Sequence, residues 1–496
     1  MLNVALAVSP IVAVLIGVIG LKKSAMKVAP IVMIYTVILG WLFFNGSASG
    51  MLQSFHKGVG DGIRIVYLIF AAFSMLVMTI ETGAMDKMKE VIADITDDRR
   101  IQVLIIAVMF GIFLEGVAGA GAPAAVAAPF LVGLGFNPIS AATAALIANG
   151  IPGSWGGAGV TTIMGSQAVR EYMSIMEASS MTGRIHMLGA FIMPFLVTLT
   201  IFGKKGMKNL GGFLVFAGSF MAATLFVFSN IIGPEVTSMC TGLLAIIATL
   251  VYLKIFKIKT PSEFLYKPEK TNKSNMPAHK AFAPYLILMI LLPAVRYSFD
   301  LSVLARYGYT VWVGTVIFIS AFLGALVLGV KIPEFAGHAK NAFKKVIPAL
   351  VAMCGLLVLS DVMVSTGMMS LLAKTLSNAA GKGYPFVAVA IGALGSFMTG
   401  TGLGSNIMFA TMHVEAATSL GLNPITVFAG QNVGGAIGNM ICINNVVAVA
   451  TTVGVLGKEG QLMKKVLPAF LLILVLYGLA ALMYTHYLFP NFGVLV

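Results

Sequence analysis

The sequence predicts an all-α polytopic membrane protein of about twelve transmembrane helices plus two re-entrant hairpins, built as an inverted repeat. Three observations lead there. Of 496 residues, 58% are hydrophobic and 10% charged, and water could not cover that much apolar surface on a soluble fold. Apolar stretches of spanning length recur from end to end, as in Leu2 to Leu21, Ile65 to Ile80, Phe213 to Phe228, Val311 to Val330 and Val466 to Leu488. Finally, three landmarks return in the same order. LGFNPI around Pro138 recurs as LGLNPI around Pro424, 286 positions on; ETGAM around Thr82 as STGMM around Thr366, 284 on; and IANG around Asn149 as GQNVGG around Asn432, 283 on.

In lipid every backbone group must be satisfied within the segment, so the spans are helices, and their long unbroken apolar runs exclude an alternating-strand barrel. The first stretch lacks a basic leader and is followed by Lys22 and Lys23, so it is expected to be a retained span rather than a cleaved signal. The net charge of +14 comes from basic residues in short loops, among them Lys204, Lys205 and Lys208, Lys340 to Lys345, and Lys458 to Lys465. That distribution is a topology signal, with these loops cytoplasmic and both termini outside, rather than a nucleic-acid surface. The expected organisation is a membrane half over 1–253, a cytoplasmic linker over 254–280 and a second membrane half over 281–496, with repeat cores at about 62–170 and 346–456.

Flanking charge gives each copy a direction. The span ending near Thr82 is followed by Lys87, Lys89, Arg99 and Arg100 and should run inward; its counterpart ending near Thr366 is preceded by Lys340, Lys344 and Lys345 and should run outward. The copies are therefore expected to be inverted, a common plan for secondary transporters.

Within each copy two apolar arms meet at a glycine cluster. Ile101 to Leu114 leads through EGVAGAGAP (Glu115 to Pro123) to Ala124 to Phe136; Phe386 to Met398 leads through TGTGLGSN (Thr399 to Asn406) to Ile407 to Leu420. An arm of this length reaches about 21 Å, short of a core of roughly 30 Å, which suggests re-entrant hairpins. A continuous glycine-containing span is the alternative, since small residues also let helices pack closely. A second interruption follows each hairpin, at NGIPGSWGGAG (Asn149 to Gly159) and at QNVGGAIGN (Gln431 to Asn439, continuing to Asn444 and Asn445). Half-helix N-termini presented there could hold a carboxylate without any lysine. GAGAP lacks the strand-turn-helix setting and the Lys-Ser/Thr ending of a phosphate loop.

The expected substrate-binding residues are Gly119, Gly121, Asn149, Gly402, Gly404, Ser405, Asn406, Asn432, Asn439 and Asn444. Ionisable residues in apolar segments are costly and point to function, which singles out Glu115 and Asp361 as proton-coupling candidates. For Glu115 a structural carboxyl bonded to hairpin amides is an equal alternative. His413 and Glu415 lie two apart, on different helix faces, and Arg170, Arg184 and Arg296 read as interfacial anchors. Cys240, Cys354 and Cys442 are isolated, and HExxH, GxSxG and Cys/His metal spacings are absent, so no enzyme, metal or cofactor is expected.

At these two regions the sequence resembles the lactate permease family. The likeness lies in EGVAGAGAPAAVAAPFLVGLGFNP with AATAALIANGIP, and in GSNIMFATMHVEAATSLGLNP with NVGGAIGNMICINNVVAVATTVGVLGKE, over roughly Ile101 to Val160 and Gly395 to Lys465. The resemblance implies an ion-transporter-type fold, two opposed hairpins in a mobile domain, and movement of lactate or glycolate with protons. In GNMICINN, Asn439, Asn444 and Asn445 stand where the family usually has a lysine and a proline–glutamine pair. The resulting expectation is a proton symporter for a small 2-hydroxy monocarboxylate in a prokaryotic plasma membrane, compatible with a homo-oligomer. A sodium-coupled carboxylate transporter and a passive anion channel are the alternatives.

Overall fold

A computed structural model of the chain describes residues 2–17, 21, 23, 25–119, 122–265, 275–299, 309–455 and 458–493; part of the expected linker therefore lies outside the described residues. Among them every regular element is helical, with one isolated bridge between Asp98 and Leu265. The first half contains α1 (Leu2–Leu15), α2 (Ala25–Phe43), α3 (Ala48–Glu81), α4 (Ala84–Ala93) and α5 (Arg99–Val103), which runs through a π-helical stretch (Leu104–Phe110) into α6 (Gly111–Ala118). Then come α7 (Ala122–Gly133), α8 (Pro138–Ala148), a 3-10 turn (Pro152–Trp155), α9 (Gly156–Ala168), α10 (Ile175–Gly206), α11 (Gly211–Val227) and α12 (Pro234–Ile255). The second half contains α13 (Ala278–Ser298), α14 (Tyr309–Val327), α15 (Ile332–Ser365), α16 (Met368–Ala380), α17 (Tyr384–Thr399), α18 (Gly402–Ser419), α19 (Pro424–Gly438), α20 (Ile443–Thr452) and α21 (Glu459–Met483).

Seven of the described helices are long and apolar enough to cross a membrane, where the sequence led us to expect about twelve crossings. Pro123–Gly133 and Pro138–Ala148 are apolar but shorter, as hairpin arms and half-helices must be. Arg99–Val117, which contains the first arm, expected to be too short to cross, is one of the seven and is wholly enclosed by protein, whereas Ile31, Trp41, Ile231 and Ile290 turn outward on other helices, as a lipid-facing shell would.

The longest helices, α3 and α15, are each 34 residues long and start 284 positions apart, at Ala48 and Ile332. They pack along their length. Ser54 meets Ser365 at 3.2 Å, Lys57 meets Asp361 at 2.8 Å, and at the other end Glu81 meets His338 and accepts from Asn341 at 3.2 Å. Numbers rise along one helix as they fall along the other, so the pair is antiparallel. Between these ends Gly58 and Gly62, one turn apart, let the backbones approach: a methyl group at Gly58 would lie 2.6 Å from the amide nitrogen of Val358, and one at Gly62 2.6 Å from Sγ of Cys354.

The adjacent arginines before the first hairpin clasp two helix ends. Arg100 is fully buried; its guanidinium donates to both Asp98 oxygens (Nε–Oδ1 3.0 Å, Nη2–Oδ2 2.6 Å) and to the carbonyls of Gly206 (3.1 Å) and Lys208 (2.7 Å) at the end of α10. Arg99 donates to the carbonyl of Gly135 at 2.7 Å, closing the base of the first hairpin. These donors satisfy carbonyls that a helix C-terminus leaves open.

The expected interruption at Gln431 to Asn439 is corrected by the structure. α19 is helical through Gly438, and the chain breaks only at Asn439 to Cys442. Packing explains the glycines instead: methyl groups at Gly434 and Gly438 would overlap the carbonyl oxygens of Val389 and Ala393 on α17.

Candidate functional site

The first interruption is real and unusual. After the 3-10 turn, Gly157, Ala158 and Gly159 take φ of 56°, 57° and 79° in succession. Glycine adopts this left-handed backbone freely, whereas Ala158 costs about 1–2 kcal/mol that its surroundings must offset. Both hairpin tips converge on this stretch. At the first tip Gly119 has φ 63° and ψ −166°, and a methyl there would lie 2.8 Å from the nitrogen of Gly157. At the second, Gly400 turns the chain at φ 85°, Thr401 caps α18 by accepting from the Gly404 amide at 3.0 Å, and a methyl on Gly402 would lie 3.2 Å from Cγ2 of Thr161. Gly404 itself packs on Thr399.

Glu115 sits in the last turn of α6, so it precedes the tip rather than forming it. It is 1% exposed, its Oε1 lies against Gly156, and Oε2 has no hydrogen-bond partner among the described residues. Asn149, the C-cap of α8, is 3% exposed with both amide atoms unpartnered. A buried amide or carboxyl left without partners is costly, which makes these atoms the candidates for a polar contact from outside the protein. No lysine or arginine occurs between Arg100 and Arg170 or between Lys382 and Lys458. Neither stretch can therefore offer an anion a lysine or arginine of its own, only amides, hydroxyls and helix N-termini.

Other expected site residues are committed to the scaffold. Asn406 donates to the Thr161 carbonyl (3.0 Å) and to Oδ1 of Asn432 (2.9 Å); Asn432 donates to Thr162 (2.8 Å) and Thr182 (3.1 Å). Ser405 donates to the Gly392 carbonyl (2.7 Å) and accepts from Gln431 (2.9 Å). Asn439 accepts from Ser396 at 2.8 Å and, through its carbonyl, from Asn445 at 3.1 Å. These contacts tie hairpin two, α9 and α19 into one polar knot. Gly121 lies outside the described residues, and Asn444 is helical in α20 with its side chain likewise outside them. Asp361 pairs with Lys57 on the α3–α15 seam, and its neighbour Ser360 donates to the Ile407 carbonyl of α18 at 2.7 Å.

Two functional candidates escaped the sequence. Glu235 is 2% exposed in the first turn of α12, and the backbone of Pro234 and Glu235 crowds Gly159. A glutamate just after a helix-starting proline reads as an ordinary N-terminal residue, which hid it. His186 is fully buried in α10 and contacts the 3-10 turn. Its place inside an apolar spanning run was a usable signal.

Polar, partly unpartnered hairpin tips enclosed by membrane-spanning helices define a multi-pass integral membrane transporter, not an enzyme. The fold is similar to that of MtrF from Neisseria gonorrhoeae, with a TM-score of 0.54 at 12% identity over 94% of this chain and 96% of that one. The chain belongs to the L-lactate permease family, whose model matches residues 3–299 and 292–489. It is 28% identical to the L-lactate permease of Bacillus subtilis (strain 168), over 91% of this chain and 90% of that one. It is 25% identical to the glycolate permease GlcA of Escherichia coli (strain K12), over 98% and 96%. The resemblance read from the hairpin motifs thus extends over nearly the whole chain.

Proposed function

We propose that the protein moves a small 2-hydroxy monocarboxylate of the lactate and glycolate class across the bacterial plasma membrane in symport with protons. The substrate class comes from the relatives' names together with an anion site free of lysine and arginine. The observation that carries the coupling is Glu115, enclosed beside Gly156 with an unpartnered Oε2. A carboxyl there can take a proton as the substrate's negative charge arrives, so the loaded site travels closer to neutrality. The Asn149 amide offers one N–H to a carboxylate and one oxygen to a hydroxyl, the two groups a 2-hydroxy acid carries on adjacent carbons.

Alternating access would follow from two inverted halves, with an elevator-like displacement of the hairpin-bearing helices. The antiparallel seam of α3 and α15, equal in length and 284 positions apart, supports that relation. Counterflow in proteoliposomes against a panel of small carboxylates, with imposed proton or sodium gradients, tests the reading. Exchange of lactate or glycolate with uphill uptake driven by protons is expected. Uptake driven by sodium alone would move the coupling to sodium, and exchange of no carboxylate would end the substrate assignment.

A further inference from the structure

Both fully buried histidines meet a tyrosine hydroxyl through Nδ1. Tyr477 of α21 meets Nδ1 of His186 at 2.9 Å, and Nε2 of His186 meets Oγ of Ser154 at 2.8 Å. Tyr384 meets Nδ1 of His413 at 2.8 Å, while Nε2 of that ring has no hydrogen-bond partner among the described residues. The His186 chain of hydrogen bonds ends on α19, because Ser154 donates to the carbonyl of Asn432 at 3.1 Å.

Proton counting fixes the first chain. Ser154 has one hydroxyl hydrogen and spends it on Asn432, so towards His186 it can only accept. Nε2 of His186 must then carry the hydrogen. Nδ1 is left to accept from the Tyr477 hydroxyl. A second ring proton would displace that hydroxyl hydrogen and create an enclosed cation with no carboxylate among its described contacts.

The neighbours of α10 agree. α8, α9, α11 and α19 carry no titratable residue; α21 brings Tyr477 here and keeps Glu459, Lys464 and Lys465 in its first two turns; just past α21, Tyr484 donates to the Arg184 carbonyl at 3.1 Å; α12 brings Glu235 and Cys240, with Tyr252 and Lys254 near its far end; Glu115 of α6 lies beyond the turn, against Gly156. Arg184 on α10 itself is turned to the rings of Phe226, Phe489 and Phe492, and Arg99 and Arg100 sit at the hairpin base.

We propose that His186 is a neutral positioning residue: locked by Tyr477 as its Nε2–H tautomer, it fixes the 3-10 turn Pro152–Trp155 and so sets Gly156 against Glu115. The turn is gripped by Ser179 and His186, seven residues apart on one face of α10 that also carries Thr182. Ser179 accepts from the Trp155 indole at 3.3 Å, Thr182 accepts from Asn432 at 3.1 Å, and the Trp155 ring lies 5.1 Å from the His186 ring. The effect on transport rests on the function proposed above; the tautomer does not.

Two measurements separate these. In protein carrying ¹⁵N-labelled histidine, with His186→Gln to assign the signal, His186 should remain the Nε2–H tautomer from about pH 5 to pH 8. In Tyr477→Phe the place of the lost hydroxyl admits a water, which solvates Nδ1 and lifts the enclosure that forbids a second ring proton, so the ring should titrate. Counterflow of labelled lactate by Tyr477→Phe, taken as a ratio to the unaltered protein at each pH, should fall about tenfold from neutral to acid pH, the size of one lost hydrogen bond. Tyr477→Phe with His186→Gln should show a flat ratio. Loss of packing alone would lower the Tyr477→Phe ratio equally at every pH and would overturn the proposal, as would an Nδ1–H signal or titration in the unaltered protein. Should Tyr477→Phe not fold, Ser154→Ala serves: a raised KM with an unshifted pH profile is expected, and an unchanged KM overturns it. Absence of all carboxylate counterflow would instead strike the proposed function and leave the tautomer measurement standing.

Discussion

Gly156→Ala isolates the placement of the Glu115 carboxyl. Gly156 has φ −61° and ψ 145°, a backbone that alanine adopts without strain, so the substitution adds only a methyl group. That methyl would overlap Oε1 of Glu115 and stand 3.3 Å from its Cδ and 3.3 Å from Cα of Gly119. The Gly119 backbone is held by the tip, so the carboxyl must give way, by about 1 Å to restore ordinary contact between the atoms. Displacing a reacting group by about 1 Å costs about a hundredfold where geometry controls the step. Uphill, proton-driven uptake in proteoliposomes should therefore fall about a hundredfold while the melting temperature in detergent stays close to that of the unaltered protein. Shortening the side chain should recover part of the loss, so Gly156→Ala with Glu115→Asp should outperform Gly156→Ala alone. Undiminished uptake by Gly156→Ala would refute the claim that this contact positions a working carboxyl. A large fall in melting temperature would show that the methyl disrupts the turn instead.

Glu115→Gln should keep lactate counterflow but lose uphill uptake under an imposed proton gradient, and unchanged uphill uptake would remove Glu115 from the coupling. Arg100→Met should destabilise the protein by about 3–5 kcal/mol, because Asp98 is left buried without its cation; Arg100→Met with Asp98→Asn should regain much of this in thermal melts, and equal losses in both would contradict the account. Gly434→Ala should prevent accumulation of folded protein, since the methyl meets the Val389 backbone rather than a yielding side chain, and a normal elution profile in detergent would refute that. Asn432→Ala leaves Asn406, Thr162 and Thr182 each short of a partner inside the protein and should raise KM for carboxylate at least about tenfold in uptake assays.

What the sequence made legible was whatever lipid and helix ends dictate. Composition demanded helices. The Asn-Pro pairs at 137–138 and 423–424, read in the sequence only as landmarks of the repeat, open two helices, and in both the asparagine caps the helix it precedes. Glu115 stood out because an acid in an apolar run is expensive, and it proved enclosed. The glycines of QNVGGAIG misled, because glycine marks a broken helix and a close helix crossing alike, and only the carbonyls of α17 reveal which. Asn432 likewise gave no sign from spacing that its amide was already spent on threonines far away in the chain.

The two helices that open with Asn-Pro differ in length: α8 has 11 residues and α19 has 15, both closed by an asparagine, Asn149 and Asn439. One copy thus carries about one extra helical turn, and the apparent match of Asn149 with Asn432 dissolves into a match with Asn439. Anyone transplanting a substitution from one half to the other must change the numerical key along the way: 286 at the opening asparagines, 290 at the closing ones, and 284 again by Ile175 and Glu459, where α10 and α21 begin. A mutagenesis grid laid out on a single fixed shift would compare residues a full turn apart along these helices and mistake misalignment for functional asymmetry.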